Sequence, residues 1–524
     1  MVSNLTVRLN RLARWNSNTV RILGLIEIVL GIMLIIPSLI ALAYGEDWTI
    51  FAILVPILLV LGFVQYFMFY GNGKMQPSTG ILLISMAWFI AFAVVSVPYM
   101  LHGFHWYDAI FESVSGFTAA GATIVADVEA LPYSLLFWRS FSQWVGGLAV
   151  VLMFMFMLPM MGIGGRAFLN NELLGTDAAN YSVRMKSVAK SFIIIYLLLS
   201  ILEVVLLCIV GVNVFESACM TMSNISTGGL MVKNDSITSY SFYVQLIVFI
   251  FMFLGGTNFY LLYRFLNKRE HYAYIRSQEF MGTIVWFAAI SLLVAGAILY
   301  TQPGAVNSLD SIATTVWGAM FTTVSFGTST GYVITDYSMW PTAVMSLLLV
   351  VGMIGSMSGS TGGGIKLYRL MIVKSYIFSG LYKMIHPYAI KEVEFDGATV
   401  NHETVTAVLV VTMSFIGAFA TGIIAFMFTQ PGIAFLDSAG LCVASLGNVG
   451  SGFGAYGPSG SLADLTVASK LLMAGLIWVG RLEVFMVLIM FTKPFWKDVS
   501  LNMSGRERNE GGTRFMPKRP TRKR

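Results

Sequence analysis

Thr118-Ala119-Ala120-Gly121 closes a short apolar stretch, residues 106–125, too brief to cross a bilayer yet flanked on both sides by runs long enough to do so. The event recurs three times. Stretches 213–230, 309–333 and 434–454 run into Ile225-Ser226-Thr227-Gly228, Thr328-Ser329-Thr330-Gly331 and Gly447-Asn448-Val449-Gly450. Working outward, each stretch lies between paired long apolar runs, near 79–101 and 133–163, 187–211 and 240–266, 280–301 and 340–372, and 402–429 and 463–492. Two more runs, 20–44 and 49–71, precede the first pair. A helix crosses hydrocarbon with about 20 residues, so the chain reads as ten spans and four short inserts.

Composition excludes the soluble classes. Of 524 residues, 57% are hydrophobic and 11% charged, with mean hydropathy +0.77. A soluble domain carries roughly 45–50% apolar and about 25% charged residues. The 32 Lys and Arg and 26 Asp and Glu cannot cover the surface of a soluble protein of this length. The first apolar run, Val20 to Tyr44, is longer than the core of a signal peptide, and no small-residue cleavage site follows it. Cys208, Cys219 and Cys442 give neither a disulfide framework nor metal-ligand spacing, and the five histidines are scattered. A membrane-embedded enzyme would need clustered carboxylates or histidines, and His271, His386 and His402 stand far apart in the chain.

Basic residues orient the spans, because cytoplasmic loops are enriched in Lys and Arg. They gather at the N-terminus (Arg8, Arg11, Arg14, Arg21) and in the connectors between pairs: Arg166, Arg184, Lys186 and Lys190; Arg264, Lys268, Arg269 and Arg276; Lys366, Arg369, Lys374, Lys383 and Lys391. The tail is dense from Lys493 to Arg524. Both termini and every inter-pair connector are therefore expected in the cytoplasm, with the inserts entering from outside. A pI near 9.0 follows from this topology and calls for no nucleic-acid partner. One orientation for every pair also argues against a transporter of two inverted halves.

Non-helical backbone at membrane depth persists only where it is buried in protein or lines water. Four glycine-ended inserts entering from one side can converge on an axis, where small residues let carbonyl oxygens replace a cation's hydration shell. Glycine permits the required backbone angles. A second feature is Gly355–Gly364, with Gly355, Gly359, Gly362, Gly363 and Gly364 interrupting an apolar run. Each glycine costs a helix roughly 1 kcal/mol against alanine. Isoleucine follows Gly364 where a phosphate-binding loop needs lysine, so the segment reads as an unwound intramembrane loop or a packing kink. A third is Arg481 in the last run, a costly intramembrane charge, with Glu483 or Glu203 as its expected partner. Asp108, Glu112, Glu216, Asp310, Asp336 and Asp437 lie near the insert ends, where they would concentrate cations or cap the short helices.

Further motifs accompany the inserts: Phe111-Glu-Ser-Val-Ser-Gly-Phe117, Trp138-Arg139, Gln143-Trp-Val-Gly-Gly147, Gly255-Gly-Thr-Asn-Phe259, Gly359-Ser-Thr-Gly-Gly-Gly-Ile-Lys366 and Gly480-Arg-Leu-Glu483. With them, from about residue 20 to 497, the chain resembles the Trk/Ktr/HKT superfamily of potassium transporters, and within it the TrkH type. The resemblance implies an all-α membrane protein with four membrane-pore-membrane repeats around one central pore and two extra N-terminal transmembrane helices. On the sequence these fall as 1–72 (extension), 73–165, 166–268, 269–385 and 386–497 (repeats), and 498–524 (basic cytoplasmic tail).

It further implies a potassium-selective filter at Thr118, Ala119, Ala120 and Gly121; Ile225, Ser226, Thr227 and Gly228; Thr328, Ser329, Thr330 and Gly331; and Gly447, Asn448, Val449 and Gly450. The glycine-rich segment and Arg481 would gate the pore. The expected cargo is K+, with Na+ as the alternative. The first segment departs from the usual Thr-Thr-Thr-Gly, and Ser451 stands where proline usually follows the fourth. The implied assembly is a homodimer in the cell membrane, regulated by a cytosolic TrkA-type ring. NAD or ATP/ADP would act only through that separate subunit, and no cofactor is expected in this chain.

Overall fold

The structure, a computed structural model, describes residues 17–69, 77–161, 178–268, 270, 272–302, 304 and 308–503. Arg8, Arg11, Arg14, Arg166, Arg269 and the tail from residue 504 lie outside the described residues. Helices dominate. The strands among the described residues are two-residue pairs, Ile354–Gly355 parallel with Ile365–Lys366 and Glu394–Phe395 antiparallel with Ala398–Thr399.

The chain divides into two compact units, one holding residues 1–35, 52–91 and 486–524, the other 36–51 and 92–485. In the first, helices Ser17–Met33 and Leu54–Met68 pack through glycine. A Cβ on Gly24 would come 2.7 Å from the Gly62 carbonyl, and one on Gly62 2.5 Å from the Gly24 carbonyl. Such close approach suits helices in lipid, where packing rather than hydrophobicity drives association. Buried Glu27 accepts two hydrogen bonds from Gln65 Nε2, at 3.0 and 2.9 Å, and Arg21 stacks on the Tyr66 ring.

Through the second unit one order of elements recurs: a long helix, a short one, an extended segment, then another helix. The short helices are Trp106–Phe117, Val214–Ile225, Leu309–Gly327 and Phe435–Leu446. Each carries an acid in its first turn (Asp108, Glu216, Asp310, Asp437), which favours the positive end of the helix dipole. Asn213 and Ser308 cap two of them by accepting from Phe215 N and Ser311 N. A stacked aromatic pair, Phe326 and Phe453, with Tyr337 edge-on to both, joins the third and fourth segments in one core cluster.

Among the described residues seven helices are long and apolar enough to cross a membrane, or nine if two bent pairs count as single spans. The pairs are Phe242–Gly255 with Phe259–Leu266 and Val467–Arg481 with Val484–Met490. The sequence led us to expect ten spans. The tenth, 340–372, is divided: Thr342–Met353 ends in the glycine-rich loop and Leu367–Ile385 begins after it. The breaks have local causes. At Asn258 the side chain accepts from Tyr260 N at 2.9 Å and starts a new helix after Gly255-Gly256. At Glu483, φ of +60° separates Val467–Arg481 from Val484–Met490.

Candidate functional site

The four short helices end on Thr118, Ser226, Thr328 and Gly447, whose φ values run from −76° to −85°. The next residues, Ala119, Thr227, Ser329 and Asn448, turn left-handed, with φ of +55°, +53°, +58° and +55°. Each donates its N–H three residues back, to Gly116, Asn224, Phe326 and Ser445. Two positions on come glycines with positive φ, Gly121, Gly229, Gly331 and Gly450. A right-handed residue followed by a left-handed one turns successive N–H groups to one side. A left-handed non-glycine residue costs roughly 1–2 kcal/mol, and all four segments carry one at the same place.

This geometry corrects the second segment by one residue. Ile225 is the last residue of its helix, in the place of Phe117, Gly327 and Leu446, and the glycine matching Gly121 is Gly229, not Gly228. The hydrogen bonds agree: Ala120, Gly228 and Thr330 each donate five residues back, to Ser115, Ser223 and Ser325. Ser-Thr-Gly at 226–228 matches 329–331 in letters, but in space Ser226 matches Thr328.

The four glycines close a ring. A Cβ on Gly121 would lie 1.9 Å from the Gly228 carbonyl oxygen, one on Gly229 1.8 Å from that of Thr330, one on Gly331 2.2 Å from that of Val449, and one on Gly450 2.3 Å from that of Ala120. Each segment thus packs its glycine on the next segment's carbonyl, and the fourth returns to the first. The C-terminal ends of all four short helices meet the ring, and their partial negative charge favours a cation.

Glycine also brings the following helices close. A Cβ on Gly146 would meet the Phe117 carbonyl at 1.7 Å, on Gly255 the Ile225 carbonyl at 3.0 Å, and on Gly480 the Leu446 carbonyl at 2.2 Å. The glycine motifs beside the inserts therefore mark where backbone touches the ends of the short helices.

The loop from Gly355 to Gly364 lies against the helix side of the ring. Thr361 Oγ1 donates to the carbonyls of Ile225 (3.2 Å) and Gly255 (3.0 Å), and Gly363 N donates to Ser329 Oγ at 2.7 Å. A Cβ on Gly362 would meet the Thr328 carbonyl at 2.7 Å, and one on Gly363 the Gly447 carbonyl at 2.3 Å. The loop so touches the second, third and fourth segments. Lys366 Nζ donates to the Gly362 carbonyl, Ser358 donates to both oxygens of Glu279 from its N–H and Oγ, and Arg481 Nη1 donates to the Thr361 carbonyl at 2.6 Å.

The expected pairing of Arg481 is corrected too. Glu483 pairs with Arg369, and Glu203 accepts from Asn224 Nδ2 at 2.6 Å, so neither carboxylate binds Arg481. Glu112 is fully buried with Arg139, Thr123 and the Ile124 N–H rather than at an open mouth, and Asp108 pairs with Lys470 at 2.8 Å. Asp336 accepts from Ser338 N and Ser459 Oγ. Among the described residues no group of three or more His, Cys, Asp or Glu side chains could hold a metal ion; the ring offers carbonyls instead. Gly229, Gln143 and Glu279 belong to this site and were not singled out from sequence. Gln143 stood inside a quoted motif and Gly229 beside a quoted glycine, whereas Glu279 carried no signal of its own.

A family model described as TrkH, cation transport protein, matches residues 57–500. The chain is 27% identical over 485 residues to the Trk system potassium uptake protein TrkH of Salmonella typhimurium, covering 91% of this chain and 99% of that one. It is 29% identical over 496 residues to the Trk system potassium uptake protein TrkG of Escherichia coli, covering 92% and 100%. Among solved structures, the potassium transporter TrkH from Vibrio parahaemolyticus superposes with a TM-score of 0.83 at 26% identity, over 92% of this chain and 99% of that one.

Proposed function

The chain belongs to the TrkH family of cation transport proteins, and on that premise we propose that it takes up potassium through the ring of four segments, which acts as its selectivity filter. It is a multi-pass protein of the cell membrane and a transporter, not an enzyme. The observation that carries the reading is the closed glycine-to-carbonyl ring at Gly121, Gly229, Gly331 and Gly450. Carbonyls held this way replace the hydration shell of a monovalent cation without any side-chain charge. The names of the relatives, potassium uptake proteins, favour K+ over Na+ as the cargo.

The loop Gly355–Gly364 is the gate. Its contacts with Ile225, Thr328, Ser329 and Gly447 put its bulk across the helix side of the ring. Arg481 holds it closed and adds a charge that opposes a cation. Regulation by a separate cytosolic nucleotide-binding ring, a homodimeric assembly, cytoplasmic termini and repeats at 73–165, 166–268, 269–385 and 386–497 complete the reading. The test is cation flux into vesicles containing the purified protein, with K+ and Na+ compared, and repeated with the cytosolic subunit added. Faster K+ than Na+ flux that responds to the subunit supports the reading. Equal rates for both ions would replace it with a poorly selective monovalent-cation pathway of the same fold.

A further inference from the structure

The ring has one segment built unlike the others. The residue before the ring glycine is Ala120 in the first segment, Thr330 in the third and Val449 in the fourth, each buried, whereas in the second it is Gly228. A Cβ there would fall 2.5 Å from Gln143 Cδ and 2.7 Å from both heteroatoms of the Gln143 amide. Gln143, on the helix Tyr133–Met161 and wholly buried, thus occupies the space that a side chain fills in the other three segments.

Its contacts are polar. Nε2 donates to the Gly228 carbonyl at 2.9 Å, and Oε1 accepts from Leu230 N at 3.3 Å. Because Leu230 N–H can only donate, this second bond fixes which end of the amide is which. The two bonds straddle Gly229, the ring glycine. The oxygen that Gln143 holds is also the one on which Gly121 packs. Two successive glycines have more backbone freedom than any other pair, so this segment most needs an outside restraint.

We propose that Gln143 is a positioning residue that sets the Gly228 carbonyl in the ring and thereby helps determine which cation the ring accepts. The inference rests on the filter reading above. By donating to that oxygen, the amide fixes its direction and draws electron density from it, so one of the ring's oxygens differs in strength from the other three. Discrimination between ions of equal charge depends on the number and field strength of the coordinating oxygens and on cavity size, and Gln143 acts on the last two.

The experiment measures K+ and Na+ flux for the purified full-length chain in lipid vesicles, per folded molecule. Gln143→Met keeps side-chain length and removes both bonds. It should lower the K+/Na+ ratio by about three- to tenfold, the worth of one hydrogen bond, while K+ flux persists. Gly228→Ala alone should lose flux through its clash with the amide. Adding Gln143→Ala should restore it, since the second segment then carries an alanine as the first does at Ala120. Gly121→Ser is the control for the filter itself. A Gln143→Met ratio equal to the original beside a lowered Gly121→Ser ratio would overturn the proposal and leave the filter standing. Ratios unchanged in both would remove the filter reading, and the proposal with it. If Gln143→Met does not fold, the paired substitution decides, and no recovery over Gly228→Ala alone counts against the role.

Discussion

Arg481 donates from Nη1 to the Thr361 carbonyl at 2.6 Å, so a buried guanidinium at the end of helix Val467–Arg481 grips the middle of a loop from a different part of the chain. Arg481→Gln should release that grip and increase basal K+ flux. Since Glu483 keeps Arg369, no carboxylate is orphaned, and the stability lost should be about that of one hydrogen bond to a charged group, roughly 1.5–3 kcal/mol. Flux per folded molecule together with thermal unfolding checks both halves. A well-folded variant with unchanged flux would remove the latch.

Arg369 and Glu483 are themselves a buried pair, and their energetics should separate from gating. Removing one partner of such a pair costs about 3–5 kcal/mol, while replacing both with apolar residues is often neutral. Glu483→Gln and Arg369→Met should each lower the unfolding midpoint strongly, and the double variant Arg369→Met with Glu483→Met should recover most of the loss. A purely additive double variant would show that the two side chains act independently.

The second-segment register is open to direct test through two glycines with similar backbone angles. Gly229 and Gly211 have φ of +73° and +98°, but a Cβ on Gly229 meets the Thr330 oxygen at 1.8 Å while Gly211 has nothing within 4 Å. Gly211→Ala should therefore cost only the left-handed penalty, roughly 1–2 kcal/mol, with normal flux. Gly229→Ala should abolish selective flux. Comparable flux in the two variants would return the second ring position to Gly228.

Shortening the glycine-rich loop by several residues should raise basal flux, leave the K+/Na+ ratio unchanged and weaken control by the cytosolic subunit. Its bonds to the ring come from Thr361 Oγ1 and Gly363 N, so a deletion that spares them keeps the ring supported. A changed ratio with unchanged basal flux would make the loop part of the filter rather than its gate.

The long apolar runs and the four short helices were legible because length and hydropathy decide them: Trp106–Phe117 and Phe435–Leu446 fall inside the stretches drawn from sequence. The loop at Gly355–Gly364 was legible because five glycines in ten residues cannot continue a helix cheaply. What was hidden depends on angles and on distant partners. Letters alone align 226–228 with 329–331, and only backbone geometry, the helix end at Ile225 with the left-handed turns at Thr227 and Gly229, moves the frame. Arg481 is the last residue of its helix, and Glu483 sits in the left-handed break after it, where the chain turns away and carries the carboxylate to Arg369, so adjacency in sequence misdirected the pairing. Glu279 lies 79 residues from Ser358, and no local pattern joins them.

The ring closes within a single polypeptide, from Gly121 to Gly228, Gly229 to Thr330, Gly331 to Val449 and Gly450 back to Ala120. A pore assembled from four copies of one chain must alter every quarter whenever one codon changes. Here each quarter has its own codons. A substitution in one segment leaves the other three as they are, and the Ala120, Gly228, Thr330 and Val449 positions already differ from one another. Where the ring is the filter, ion preference is therefore open to change one quarter at a time, which a pore of four identical copies does not allow.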